Sequence, residues 1–105
     1  MTFEEFSAIN RLRNKTYFPE CASWTEIDWS NAMAGEAGEV CNKTKKRKRM
    51  WRESDNITTE DLMGEIADVI CYADLLAESI GVSLEEAIRS KFNEVSDRYD
   101  CLLRL

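Results

Sequence analysis

The stretch LMGEIADVICYADLLAESI, residues 62–80, decides how this chain folds. Leu62, Ile66, Val69, Ala73, Leu76 and Ile80 step 4-3-4-3-4, the spacing of a helix whose apolar seam faces other helices. Met63, Ile70 and Ala77 widen the seam, so the helix is expected to be covered on more than one side. Four helices are the most that 105 residues hold comfortably, and one chain can hardly cover such a helix alone. A dimer or higher oligomer is therefore expected. Glu65, Asp68 and Tyr72 run along the edge of the seam at steps of three and four.

Working outward, the chain holds one proline and four glycines, too few turn formers for an extensive sheet. The expected fold is all-α: a single domain, 1–105, of four helices in an oligomeric bundle. Thr2 with Glu5 forms a capping box opening a first helix that runs to about Asn14, with Phe3, Phe6, Ile9 and Arg13 at helical spacing. Asn14 to Cys21, with the Phe18-Pro19 break, reads as a connector. Ser23 with Glu26 offers the cap of a second helix from about Trp24 to about Lys48. Asn56 to Thr59 caps the third, about Thr59 to Ile80, and Gly81 suits its terminus. Ser83 with Glu86 caps a fourth that continues to about Leu102.

The second helix carries a pattern that answers Glu65 and Asp68. Gly35-Glu36-Ala37-Gly38-Glu39 places two carboxylates one turn apart on one side. Glu36 falls within the apolar stripe Trp29, Ala32, Met33 and Val40, where an unpaired acid is costly and calls for a metal, a base or a proton. Four carboxylates from two helices repel unless a cation sits among them. There is no histidine, which removes the Glu-x-x-His di-iron pattern and leaves oxygen ligands, suited to Mg²⁺ or Mn²⁺. Opposite Glu36, the small residues Ala34, Gly38 and Cys41 suit close approach of another helix.

Charge is divided unevenly. The net charge is −6, yet seven of the 14 basic residues lie within Lys43 to Arg52, a segment with no acid. No segment reaches the length and apolarity of a membrane span, and the N-terminus does not resemble a signal peptide, so a cytoplasmic protein is expected. Cys21, Cys41, Cys71 and Cys101 are widely separated and read as reduced, mostly buried thiols.

Glu36 and Glu39, the lysine-rich helix end, the segment Glu65-Ile66-Ala67-Asp68-Val69-Ile70-Cys71-Tyr72 and Lys91-Phe92-Asn93 together resemble the MazG-like all-α nucleoside triphosphate pyrophosphohydrolases. That group includes the dCTP pyrophosphatases and dimeric dUTPases, and the resemblance covers about residues 24–99. It implies a four-helix domain holding Mg²⁺ through Glu36, Glu39, Glu65 and Asp68. It implies also a nucleotide-pool house-cleaning enzyme that converts an NTP or dNTP to the monophosphate and pyrophosphate. A carboxylate not fully engaged with metal would take the attacking water's proton, with Glu36 preferred to Glu39 as that general base. The fourth-helix segment departs from the Lys-x-x-x-Asn form of the dCTP-cleaving members.

A triphosphate also needs cations. Lys43 lies one turn past Glu39 and Lys46 follows, while Lys91 and Arg98 share a face of the fourth helix. For the base, Tyr72 is best placed, with Trp29, Trp24 and Asn31 behind it. The competing class is a non-enzymatic helical interaction module that binds nucleic acid through the basic strip 43–52. Its short length in an acidic chain makes nucleic acid the less expected partner, and no membrane partner is expected.

Overall fold

Four helix-start signals set the frame. Thr2 Oγ1 accepts from the Glu5 backbone N–H (3.1 Å) while the Glu5 carboxylate accepts from the Thr2 N–H (2.7 Å), opening α1, Phe3–Tyr17. Thr58 and Asp61 make the same reciprocal pair at the head of α3, Thr59–Ser79. Ser83 accepts from the Glu86 N–H and opens α4, Leu84–Arg98. The expected Ser23/Glu26 box is replaced by Thr25 and Asp28, so α2 begins two residues late, spanning Glu26–Arg49. The reason is Pro19, which starts a 3-10 turn, Pro19–Ser23, and places Ser23 inside it. The computed structural model describes residues 1–105 and contains no strand, so the fold is all-α.

Helix ends differ from expectation at two places. Helix α1 runs three residues past Asn14, to Tyr17, where the Phe18-Pro19 break stops it. Helix α4 stops at Arg98 instead of Leu102. Asp100 takes a left-handed backbone (φ 51°) and the Cys101 N–H reaches back to the Ser96 carbonyl at 2.8 Å. The chain then reverses: Ser96 Oγ donates to the Leu103 carbonyl (2.7 Å), and Asn93 bonds both the N–H and the C=O of Leu105. Gly81 terminates α3 as expected, at φ 75°, with the Val82 N–H on the Ala77 carbonyl.

The structural centre is the antiparallel hairpin of α2 and α3, with α1 laid across α3 and α4 touching α1 and α3 but not α2. Its loop is set by one acid. Asp55, 1% exposed, receives both arms of Arg49 (Nε 3.0 Å, Nη2 2.6 Å) and the backbone N–H groups of Trp51 and Arg52. Arg49 also lies over the Trp51 ring, 5.7 Å from its centroid. Hydrogen bonding from Arg49 holds the Asp55 carboxyl well below the usual carboxylate range. A depressed folded-state pKa stabilises at pH values above the unfolded value, about 3.9, and its contribution fades as pH falls further. Asp55→Asn is therefore expected to lower Tm most near neutral pH, with the gap to wild type narrowing below about pH 4. A gap independent of pH in thermal melts would contradict this role.

Helix α1 docks through polar groups. Ser7, Asn10 and Arg11 converge on Asp74, which is fully buried within α3. Ser7 Oγ donates to Oδ1, Asn10 Nδ2 to Oδ2 at 3.0 Å and Arg11 Nη2 to Oδ1 at 3.1 Å. Phe3, Ile9 and Leu12 remain exposed. The expected apolar stepping of the first helix thus does not describe its docking face.

Only seven residues are buried. Ile66, Met63, Ile70 and Ile80 of the α3 seam are open to solvent, as are Ala34, Gly38 and Cys41, where no second helix approaches. The chain exposes 7828 Å², against about 6,000 Å² for a folded monomer of this mass. Its radius of gyration is 16.6 Å, against about 13 Å for a compact domain. All four cysteines are free, as expected, but none is buried: Cys41 and Cys101 are exposed, and Cys21 and Cys71 are half-buried. No helix is long and apolar enough to cross a membrane.

Candidate functional site

Because α2 and α3 run antiparallel, residues whose numbers sum to similar totals face each other along the hairpin. Lys43 thereby meets Glu65, and Glu36 lies opposite Glu65 and Asp68. One carboxylate oxygen from each of Glu36, Glu65 and Asp68 falls within 4.8 Å of the other two. Burial pushes the Glu36 carboxyl up. The Asp68 charge, hydrogen bonding with Glu65 and the Glu65 and Glu39 charges push it the same way. Lys43 Nζ lies 2.6 Å from Glu65 Oε1, and that bond raises the lysine's pKa. One base therefore offsets one of three acids. Three oxygen donors on two rigid helices, partly exposed, fit a hard divalent cation in ligand type and position.

The fourth expected ligand stands apart. Glu39 is exposed and outside the trio, though close enough for its charge to act on Glu36 and Lys43. Lys43 is committed to Glu65 instead of pointing free toward a phosphate. Lys46 is half-buried on the same helix. Lys91 and Arg98 both pair with Glu94 (2.7 and 2.8 Å), on a helix that does not reach α2 within one chain. The chain alone therefore does not bring them to the acids.

Beside the acids is an aromatic cleft of about 340 Å³. Trp24 and Trp29 pack at 4.6 Å between centroids, and Trp29 lies 6.2 Å from Tyr72. Phe18 closes one end, and Asp68 sits on the wall, so the cleft and the acidic trio share a residue. Burial raises the Tyr72 pKa, and the Glu36 and Asp68 charges add to it, which places the ring next to the acids. Trp29 is 5% exposed and serves as floor more than as a free stacking face. Asn31 is exposed and is not part of the cleft.

Sequence reasoning missed the opposite wall, Asn10, Arg13 and Asn14 of α1. A signal was present: polar residues at 7, 10, 13 and 14 repeat at helical spacing, marking a functional face on a helix judged by its apolar residues. Of the basic strip, Arg49 is held by Asp55, Arg47 donates to Thr59 Oγ1 and Lys43 is held by Glu65. Those three cations are spoken for within the fold, which thins the surface a nucleic acid would meet.

No family model matches the chain, and no solved structure matches it. A curated relative, the Gene 37 protein of Mycobacterium phage L5, is 35% identical over 72 residues, covering 65% of this chain and 60% of that protein. The match thus spans less than two thirds of the length of the phage protein to which this chain is similar.

Proposed function

We propose that this chain is a divalent-metal-dependent nucleoside triphosphate pyrophosphohydrolase, cutting between the α and β phosphates to give the monophosphate and pyrophosphate. The observation that carries the reading is Asp68, common to the acidic trio and the aromatic cleft. A polyanionic head and a flat apolar base attached to it would find complementary surfaces on either side of that residue. The choice of the α–β bond rests on the MazG-like pattern of the residues.

Glu36, Glu65 and Asp68 would hold Mg²⁺, which when bound neutralises phosphate charge and acidifies water. Glu39, outside the trio and solvated, is the carboxylate left to accept the attacking water's proton. Glu36, central to the trio, is then a ligand before it is a base. Lys43 orients Glu65, and Lys46 offers a cation one turn further along α2. Trp24, Tyr72 and Phe18 exclude water from the base.

A second copy completes the reading. Surface in excess of a monomer's by roughly 1,800 Å² is of the size that a stable subunit interface removes from one partner. The open apolar residues Met63, Ile66 and Ile70 of α3 are one face such a copy would cover, and Lys91 and Arg98 would reach the phosphates only from a neighbouring α4. Light scattering is expected to give at least twice the 12.1 kDa chain mass; a monomer at micromolar concentration would contradict it.

The test of function is pyrophosphate release from a panel of NTPs and dNTPs with Mg²⁺. Metal-dependent release from at least one member is expected. Silence across the panel, with retardation of DNA at moderate salt, would favour the nucleic-acid module instead.

A further inference from the structure

The α1 wall of the aromatic cleft carries a polar arrangement that the chemistry at the acids does not use. Asn10 is 4% exposed, and both protons of its amide are engaged, one on the Cys71 carbonyl and one on Asp74 Oδ2, each at 3.0 Å. Those acceptors allow only one orientation of the amide. Its oxygen therefore faces away from α3, where it accepts from Arg13 Nη2 at 3.2 Å. Arg13 is thus anchored through one nitrogen by a buried group, and it lines the same cleft as Tyr72 and Asp68. Arg13 makes no ion pair that would neutralise it.

A guanidinium donates and never accepts, and it presents its donors as a planar fork. Among bases, two adjacent acceptors on one edge occur in guanine, O6 with N7, and in cytosine, O2 with N3. In adenine N1 and N7 each stand beside the N6 donor and N3 stands alone, and thymine or uracil sets an N–H between its carbonyls. From this geometry we propose that Arg13, positioned by Asn10, selects bases bearing two adjacent acceptors, guanine or cytosine, over adenine and thymine or uracil. The inference rests on the cleft being the base site of the proposed function. It does not depend on hydrolysis.

Calorimetric titration of the full chain with dGMP, dCMP, dAMP and dTMP in EDTA tests it without the metal. The wild type is expected to bind dGMP or dCMP about tenfold or more tightly than dAMP and dTMP, the discrimination of one bidentate contact. Arg13→Ala and Arg13→Lys are both expected to reduce that ratio to within about threefold, the second because an ammonium keeps charge and loses the fork. If dGMP is preferred, 7-deaza-dGMP, which replaces N7 by carbon, is expected to bind about tenfold more weakly; if dCMP is preferred, cytosine is the base read. Selectivity that survives in Arg13→Lys, a preference for dAMP or dTMP, or no binding of any mononucleotide overturns the proposal. Arg13-dependent selectivity without pyrophosphate release would sink the hydrolase reading and leave this one standing. Hydrolysis with no Arg13-dependent preference would do the reverse.

Discussion

Asp68→Ala is expected to lower kcat/KM for the preferred nucleotide by on the order of 10³, about 4 kcal/mol of transition-state stabilisation. Asp68 sits where the acidic trio meets the aromatic cleft, so in the proposed reading its loss would remove a metal ligand and one wall of the base site together. Stability is expected to move the other way. Three carboxylates within 4.8 Å repel, Lys43 offsets only one, and deleting a partly solvated member relieves the others. Tm of the variant without metal should therefore equal or exceed that of the wild type. Mg²⁺ should raise the wild-type Tm by mass action and leave the variant nearly unmoved. A variant that loses activity and Tm together would indicate a structural acid, and full activity would remove the trio from the mechanism.

The second large effect concerns a carboxylate that does no chemistry in this reading. Asp74→Ala is expected to cost roughly 3–5 kcal/mol, the range for breaking a buried ionic cluster by removing one partner. Arg11 would lose its carboxylate with its Nε already lacking a partner, and the amide of Asn10 would lose one of its two acceptors. For a domain of this size each kcal/mol is worth about 4–8 °C in Tm, so the variant should melt more than about 12 °C lower. Protection of α1 amides should fall before that of the α2–α3 hairpin. Adding Arg11→Met to Asp74→Ala should recover part of the loss, since the uncompensated charge goes with it. A loss under about 1 kcal/mol by denaturant melts would show Asp74 to be incidental.

These two acids differ in how far the sequence exposes them. Glu65 and Asp68 stand at the edge of a strongly periodic helix and repeat the spacing of Glu36 and Glu39, so four acids were legible as a set, of which the fold brings three together and leaves Glu39 outside. Asp74 follows Asp68 by six residues inside the same seam, where the pattern of apolar neighbours hides it. Its partners lie more than sixty residues away on α1, a distance across which spacing carries no information. Helix starts were legible where a Ser or Thr was followed three residues on by an acid, and misplaced where two such pairs overlapped, as at Ser23 and Thr25. The aromatic cleft was legible in Tyr72 and Trp29 because they share the acids' helices. Arg13 and Asn14 were not: their spacing with Ser7 and Asn10 marks a polar face, but the cleft residues that give it a place lie far along the chain on α3. Within one chain, Met63, Ile66 and Ile70 of α3 remain exposed.

The polar docking of α1 has a thermal consequence. The heat capacity of unfolding rises with apolar surface exposed and falls with polar surface exposed. Release of α1, held by Ser7, Asn10 and Arg11 with Phe3, Ile9 and Leu12 already in water, should carry a small heat-capacity change. Attachment of this wall of the cleft would then change nearly linearly with temperature, without the weakening on cooling expected of the apolar seam between α2 and α3.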